Sequence, residues 1–585
     1  MSDAACSSIT VPEGFTLHTE NTSHILISSK EEAFLNPVQE FNRDLSVACI
    51  RVWSEELNRE KEAKWKQAQE RRAKREAGGE VKTGQAKEQK KAKTESIKPS
   101  VGPEDDLSGD NHTTGSTPEG SKREALYRPH KFVLLEALSA TGLRSIRYAK
   151  EIPLVRFVIA NDLSASATAA MKRNVELNGL GPSYPDSAIG TSSSPASEHQ
   201  PFPDRGKVRI NEGDACALMY NHRTEKTRVD VVDLDPYGTA APFIDGAVQC
   251  VNDGGLLCVT CTDLSVLATT NYHEKCFSNY GGIPLKAEYC HEAALRLVLN
   301  TLSTSAGRYG RYIEPLLCLS IDFYVRLFVR VHSAPIEVKK TASKTAMYYI
   351  CQGCQSFYEQ PLGRIVEKAH ERTGNVNLQF KTQAGPPVPQ KCTECGSALH
   401  VAGPMWSGPL HNNSFISKVL EHLESNQDRY STAVRMKGML TVANEELHVP
   451  FYFTPSRIAG LFHSVCPPLD DVASALLNAG HIVSRSHALP GSLKTGATRQ
   501  DVHDIFRSWV KTHPVRMDKV SETALARQLL AKEARVEANF TRHPRSVTQA
   551  SKVKLVRYQQ NPTPNWGPGT KAGSGTKRKR EEENE

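Results

Sequence analysis

Between Lys131 and Thr260 the chain alternates short apolar runs with helical stretches, and several of the runs are closed by an acid. Phe132–Leu135, Val155–Ile159, Val208–Ile210, Val229–Leu234 and Leu256–Thr260 read as strands. A helix is expected from Gly142, and another after Asp162 as far as Asn178. Such a series builds an α/β, doubly wound, mostly parallel sheet. Ligands of these sheets bind beyond the carboxyl ends of the strands. Glu136, Asp162, Asp214 and Asp235 all fall at those ends. One acid there is ordinary; four in register indicate a site.

At 585 residues there is room for two or three domains. The formal charge of +8 is uneven: Arg59 to Lys98 holds 14 Lys/Arg against 7 Asp/Glu. A nucleic-acid surface must therefore come from local clustering or from this segment. The expected division is an N-terminal arm at 1–58 contributing to a cofactor site and a disordered Lys/Glu-rich insertion and linker at 59–121. A Rossmann-like domain follows at 122–309, interrupted by a Ser/Pro-rich loop at 181–206. A C-terminal α+β domain is expected at 310–515, opening on the apolar run Leu316–Val331, and a basic, largely disordered tail at 516–585. With 14 cysteines, no signal sequence and no membrane-length apolar run, a reducing compartment is the natural reading, so paired cysteines indicate metal rather than disulfide. Lys577-Arg578-Lys579-Arg580 fits a nuclear signal and equally a solvated tail. The nucleus is expected, with mitochondrion or cytoplasm open.

The strand Val229–Leu234 ends in Asp235-Pro236-Tyr237-Gly238. A carboxylate and a peptide carbonyl beside a proline accept hydrogen bonds from an exocyclic amine, and an aromatic ring lies against a base. Those are the parts for methylating a nucleobase nitrogen, although an Asp-Pro turn closing a strand is common in its own right. The turn Glu136-Ala137-Leu138-Ser139-Ala140-Thr141-Gly142 lets backbone approach a ligand at a helix N-terminus. Asp162 suits ribose hydroxyls or a helix cap, and Asp214 with Ala215 an adenine amine or, again, a cap. Cys351/Cys354 and Cys392/Cys395 are two CxxC pairs suited to a closed structural Zn2+ site, with Gly353 and Gly396 supplying the turns. Cys258 and Cys261 sit in an apolar strand and read as core. Tyr324, Arg326, Phe328, Arg330, Arg457, His463 and Lys494 suit phosphate and base contact, or a half-buried sheet with a basic face.

Together these pieces resemble the tRNA (guanine-26-N2)-dimethyltransferase family, its eukaryotic and especially fungal members. The resemblance is carried by Asn36-Pro37, Asn42-Arg43-Asp44-Leu45-Ser46, Ala137 to Arg147, Asn161-Asp162, Asp233 to Gly238, Asp322 to Arg326, the CxxC pairs, Gly403 to Leu410 and Pro490 to Thr495. It spans about 30–515. It implies a class I methyltransferase domain, S-adenosyl-L-methionine as donor, structural zinc, and transfer of one and then a second methyl to guanine N2 of tRNA. By motif it places Arg43, Arg144, Asp162, Asp214 and Ala215 at the cofactor, and Asp235, Pro236 and Tyr237 at the base. Glu136 and Tyr237 stand where Asp and Phe are frequent. No membrane and no obligate protein partner are expected. The alternative is a zinc-containing RNA-binding protein with an inactive methyltransferase domain.

Overall fold

The computed structural model describes residues 9–28, 35–79, 126–182, 205–370, 374–385 and 388–552. The described residues of Met1–Ser54 and Lys131–Glu585 group into one compact unit, those of Glu55–His130 into a second. In the second, α1 (Glu40–Gly79) continues to its end, so the insertion expected to be disordered from 59 begins as helix. Its return segment is tied down by Asn58, whose side-chain amide donates to the His130 carbonyl and accepts the His130 N–H. The inner turns of α1 bury Leu45, Ala48, Cys49 and Val52 on one apolar face.

A hairpin not anticipated from the sequence precedes that helix: β1 (Phe15–Glu20) and β2 (Ser23–Ser28), joined at Asn21 and Thr22. Asn21 takes the left-handed conformation this tight turn needs. The seven-stranded sheet is built from β3 (Phe132–Glu136), β4 (Val155–Asp162), β5 (Val208–Glu212), β6 (Val229–Leu234), β7 (Val251–Cys261), β8 (Arg311–Ile321) and β9 (Tyr324–Ser333). Their order is β5-β4-β3-β6-β7-β9-β8. The first five are parallel; β9 runs antiparallel to both β7 and β8. The helices α2 (Leu143–Glu151), α3 (Ala165–Leu177) and α4 (Ala215–Asn221) follow β3, β4 and β5.

Two expected boundaries are corrected. The apolar run placed at the opening of the C-terminal domain is β8 and β9, and it completes the main sheet. Pairing with β9 covers what would otherwise be an open edge on β7. The segment after 515 is also no loose tail throughout. Leu525–Leu530 is helical, Leu529 enters an apolar core with Phe462 and Phe506, and Arg535 pairs with Asp501 and Asp504. Beyond the main sheet, β10 (Thr345–Cys351), β11 (Phe357–Pro361) and β14 (Leu399–Trp406) form a three-stranded sheet, and β12 (Gly363–Ala369) and β13 (Val376–Thr382) a separate hairpin. No helix among the described residues is long and apolar enough to cross a membrane.

Candidate active site and metal centre

Successive strands run outward from β3 in one direction to β5, then from β6 in the other, so the strand order reverses between β3 and β6. The crevice at such a reversal is where open α/β sheets hold ligands. A cavity of about 260 Å³ opens there, lined by Asn36, Arg43, Glu136, Ser139, Ala140, Arg144, Asp162, Asp235, Pro236, Tyr237 and Thr262 among others. Three of the four strand-end acids are thus gathered. Asp214 and Ala215 are not among its walls: the Asp214 carboxylate caps α4 by accepting the N–H groups of Cys216 and Ala217.

The β3–α2 turn approaches the cavity closely because Ala140 and Gly142 both have positive φ. A Cβ on Gly142 would lie 2.7 Å from Met171 Cγ, so that glycine serves packing as well as conformation. Asp162 fastens the turn: Oδ2 accepts the Ala140 N–H at 2.9 Å and Oδ1 the Ser164 N–H at 3.0 Å. Ser164, not Asp162, caps α3. Glu136 is buried; burial pushes its carboxyl up to about 8, the Asp233 charge adds to the rise, and the Ser145 hydroxyl donating to Oε2 opposes it.

Behind the Asp-Pro-Tyr tip lies a buried ion network. Arg144 Nη2 meets Asp235 Oδ2 at 2.5 Å, and Nη1 reaches Ser46 Oγ at 3.2 Å and Asp233 at 3.9 Å. Arg326 donates to Asp233 at 2.8 Å and to Ser46 Oγ at 2.8 Å, and the Tyr148 hydroxyl donates to Asp233 at 2.5 Å. Burial works against the Asp233 charge, but Arg326 and Arg144 hold that carboxyl below its ordinary range. No partner of Asp235 Oδ1 is present among the described residues, and Asp235 lines the cavity. Pro236 is buried while Tyr237 is 79% exposed, its ring standing at the mouth. The tip is held in place by Thr262, whose Oγ1 accepts the Gly238 N–H at 2.7 Å and whose N–H returns to the Gly238 carbonyl at 2.8 Å.

Arg43 reaches the cavity wall already engaged. Its Nε donates to both Glu20 carboxylate oxygens and its Nη1 to the Asn36 carbonyl at 3.2 Å. Glu20, at the end of β1, also receives Arg147 at 3.1 Å. Burial opposes its charge, and the bonds from His18 and Arg43 hold it far below the usual carboxylate range. Sequence reading missed Glu20, Ser46, Tyr148 and the partner of Arg326. The alternating hairpin pattern of 15–28 and the Asp233/Asp235 spacing were the signals available.

The two CxxC pairs converge. Cys351, Cys354, Cys392 and Cys395 are buried, with Sγ atoms all within 4.8 Å of one another; Cys351 and Cys395 are 3.3 Å apart and Cys354 and Cys392 3.6 Å. Four sulfurs at a Zn–S distance of about 2.3 Å would be separated by about 3.8 Å, so this donor set fits a tetrahedral zinc ion. The turns differ from expectation. Gly396 has positive φ, but its counterpart is Gln355, not Gly353. Gly353 is needed for close approach: a Cβ there would lie 2.6 Å from Ser397 Oγ and 3.2 Å from Cys395 Sγ.

His411, Glu446 and His487 form a second buried group of ligand type. It is already supplied with a cation. Lys494 Nζ lies 3.1 Å from both Glu446 and Glu292. The ring nitrogens His411 Nδ1 and His487 Nε2 face the backbone N–H groups of Cys318 and Ser320. Lys494, expected at an RNA-facing surface, is 1% exposed, and Arg326 and Phe328 are fully buried; Arg457 and His463 are exposed. Strand β9 is buried along both faces for most of its length, with Arg326 meeting Asp233 and Ser46, so its alternation does not make a solvated basic face.

A family model described as N2,N2-dimethylguanosine tRNA methyltransferase matches residues 14–507. A tRNA (guanine(26)-N(2))-dimethyltransferase of Schizosaccharomyces pombe is 42% identical over 560 residues, covering 95% of this chain and 93% of that protein. The mitochondrial tRNA (guanine(26)-N(2))-dimethyltransferase of Saccharomyces cerevisiae is 40% identical, covering 95% and 92%. The human protein of the same activity is 39% identical, covering 96% and 78%. Among solved structures, Trm1 from Pyrococcus horikoshii in complex with S-adenosyl-L-methionine shares the fold at a TM-score of 0.56 and 23% identity, covering 85% of this chain and 99% of that one.

Proposed function

The chain belongs to the N2,N2-dimethylguanosine tRNA methyltransferase family, and from that premise we propose how its cavity transfers methyl groups to the N2 amine of guanine 26 in tRNA. The enzyme is an S-adenosyl-L-methionine-dependent tRNA (guanine-26-N2)-dimethyltransferase. The donor supplies a methyl sulfonium that is already a good electrophile, so the protein's task is to present the nucleophile.

Guanine N2 is a poor nucleophile because its lone pair is delocalised into the ring. Asp235 Oδ1 and the Pro236 carbonyl accept its two N–H groups, which favours a pyramidal nitrogen and aims its lone pair at the cavity. Arg144 fixes the carboxylate from behind through Oδ2. Tyr237 lies against the base, and the target nucleotide is turned out of the tRNA stack to reach it. The proton left on the nitrogen passes to Asp235 or to solvent. A monomethylated amine keeps one N–H, so the same acceptor can orient it for a second transfer.

Asp162 is assigned to the ribose hydroxyls, and the Ala140–Gly142 turn to the polar end of the donor. Asp214 and Ala215, at the end of the neighbouring strand, are assigned to the adenine amine. Arg43 is assigned to the cavity wall, where it anchors the Asn36 segment. Cys351, Cys354, Cys392 and Cys395 hold the zinc, a structural ion closed off by its ligands. The region beyond the main sheet, to about 515, grips the tRNA body through shape and phosphate. The protein is assigned to the nucleus and the mitochondrion. Lys577–Arg580, outside the described residues, and the mitochondrial designation of one relative support this, and fluorescent fusions with and without that run test it.

The observation that carries the reading is that Asp235, whose Oδ1 has no partner among the described residues, lines the same cavity as Asp162 and the β3–α2 turn. The test is transfer of labelled methyl from S-adenosyl-L-methionine to an unmodified tRNA transcript, followed by nucleoside mass spectrometry. Dimethylguanosine at position 26, absent from a transcript with adenine there, is expected. tRNA binding without methyl transfer would overturn the reading.

A further inference from the structure

The turn between β8 and β9 consists of Asp322 and Phe323. Its flanks, Ile321 and Tyr324, are buried, yet Phe323 is 67% exposed. Asp322 adopts a left-handed backbone, φ 46°, which is unfavourable for a residue with a Cβ. The turn is nevertheless tightly held. Asp322 accepts from Arg435 Nη2 at 2.7 Å, and the Arg435 guanidinium lies 4.4 Å from the ring centre of buried Phe41. A fixed turn that presents a bare aromatic ring to solvent spends hydrophobic surface with no return inside the protein itself.

The sheet register says where that ring stands. Asp233 pairs with Cys258 and Leu234 with Val259, so the Asp235 tip is level with Thr260. On the far side of β7, Thr260 pairs with Arg326 and Cys261 with Val325. Tyr324 is therefore level with Thr262, the residue that fixes Gly238 and lines the cavity. Phe323 lies one residue further out on the same rim, two strand spacings from β6, or about 10 Å. The exposed rings of Tyr237, which lines the cavity, and Phe323 thus stand on the same rim of the sheet.

We propose that Phe323 is a stacking platform for a tRNA base next to the target guanine. This rests on the function proposed above. A guanine turned out toward Asp235 leaves its neighbours without one stacking partner, and an exposed ring on a rigid turn replaces it. Stacking is tolerant of base identity, so the residue positions RNA without reading its sequence.

The test compares Phe323→Ala, Phe323→Leu and Phe323→Tyr in the full chain, by steady-state kinetics with a tRNA transcript and by fluorescence anisotropy of labelled tRNA. Loss of one stack predicts a rise of about ten- to a hundredfold in KM and Kd for tRNA in the Ala and Leu variants. Phe323→Tyr should stay within about threefold of wild type. KM for S-adenosyl-L-methionine and the melting temperature should not move, since the ring is exposed. Unchanged tRNA affinity in Phe323→Ala would overturn the platform and leave the ring to a protein partner; full rescue by Leu would overturn stacking in favour of plain apolar contact. Anisotropy needs no turnover, so a wild-type protein that failed to transfer methyl groups would refute the functional reading while this assay still decided the role of Phe323.

Discussion

Replacing Asp235 by alanine removes the only carboxylate oxygen that faces the cavity without a protein partner at the Asp-Pro-Tyr tip. If that oxygen holds the amine in the transition state, its loss should resemble the loss of one preorganised acceptor, a fall in kcat of about 10²–10³-fold. The substitution has a second effect that must be kept apart. Arg144 is buried and loses its 2.5 Å partner, retaining Asp233 at 3.9 Å and Ser46 at 3.2 Å. Breaking a buried pair outright costs about 3–5 kcal/mol. With Asp233 still near and Asp235 partly exposed, about 1–3 kcal/mol of lost stability is expected. Thermal unfolding measures that term, and activity is then assayed well below the variant's melting temperature. Single-turnover transfer to tRNA with saturating donor isolates chemistry from binding. Asp235→Asn sharpens the argument: its carbonyl can still accept from the amine, so it should keep more activity than alanine. A folded Asp235→Ala protein that methylates tRNA at nearly the normal rate would refute the role assigned here.

Three further outcomes follow from other parts of the molecule. Cys351→Ser should lower zinc content and thermal stability while donor binding persists, and a variant that keeps one zinc per chain would count against the ligand set. Burial pushes the Glu136 carboxyl from its ordinary 4.5 up to about 8 in the folded protein, so the native protein holds a proton that the unfolded chain releases between those values. Its contribution to stability is complete below about pH 4.5 and is lost as pH rises through about 8; chemical unfolding across that range should show a flatter profile for Glu136→Gln than for wild type. Lys494→Met leaves Glu446 and Glu292 buried without the ammonium between them and should cost about 3–5 kcal/mol, read as a lower melting temperature, with partial recovery on adding Glu446→Gln.

Much of the catalytic half was legible because its strands are short apolar runs closed by acids, a pattern that few architectures other than a parallel sheet accommodate. Asp235, Asp162 and the Ala140–Gly142 turn could be placed because chain order alone puts strand ends at the ligand edge. Strands β8 and β9 were misassigned for a physical reason. A run such as Leu316–Val331, apolar on both faces, is compatible with a new core or with the edge of an existing sheet, and only pairing decides between them. Cations were misread in the same way. Arg326 and Lys494 look solvated in a linear sequence, because the acids that bury them lie far away along the chain, Asp233 by 93 residues and Glu292 by 202. The hairpin at 15–28 left an alternating pattern, but its role depends on Glu20 meeting Arg43 and Arg147, which no local signal encodes.

The charges around the tip show why these distant partners matter to the chemistry. Arg144 reaches both Asp233 in β6 and Asp235 just beyond its end, so the two carboxylates lie close together on one side of the strand tip. Left alone, two carboxylates there would repel each other and any third acid. Arg144 and Arg326 arrive from α2 and β9 to balance them, bridged through the single hydroxyl of Ser46 from α1. Glu136, one strand over and buried, is the third acid; burial first and the Asp233 charge after it push its carboxyl up to about 8, so it keeps its proton near neutrality. The arrangement ties up Asp235 Oδ2 and leaves Oδ1 of that cavity-lining residue without a protein partner among the described residues. The charge state of the tip therefore depends on residues from α1, α2, β3, β6 and β9, and a change at Ser46 or Arg326, neither of which lines the cavity, should disturb the tip as surely as a change in the tip itself.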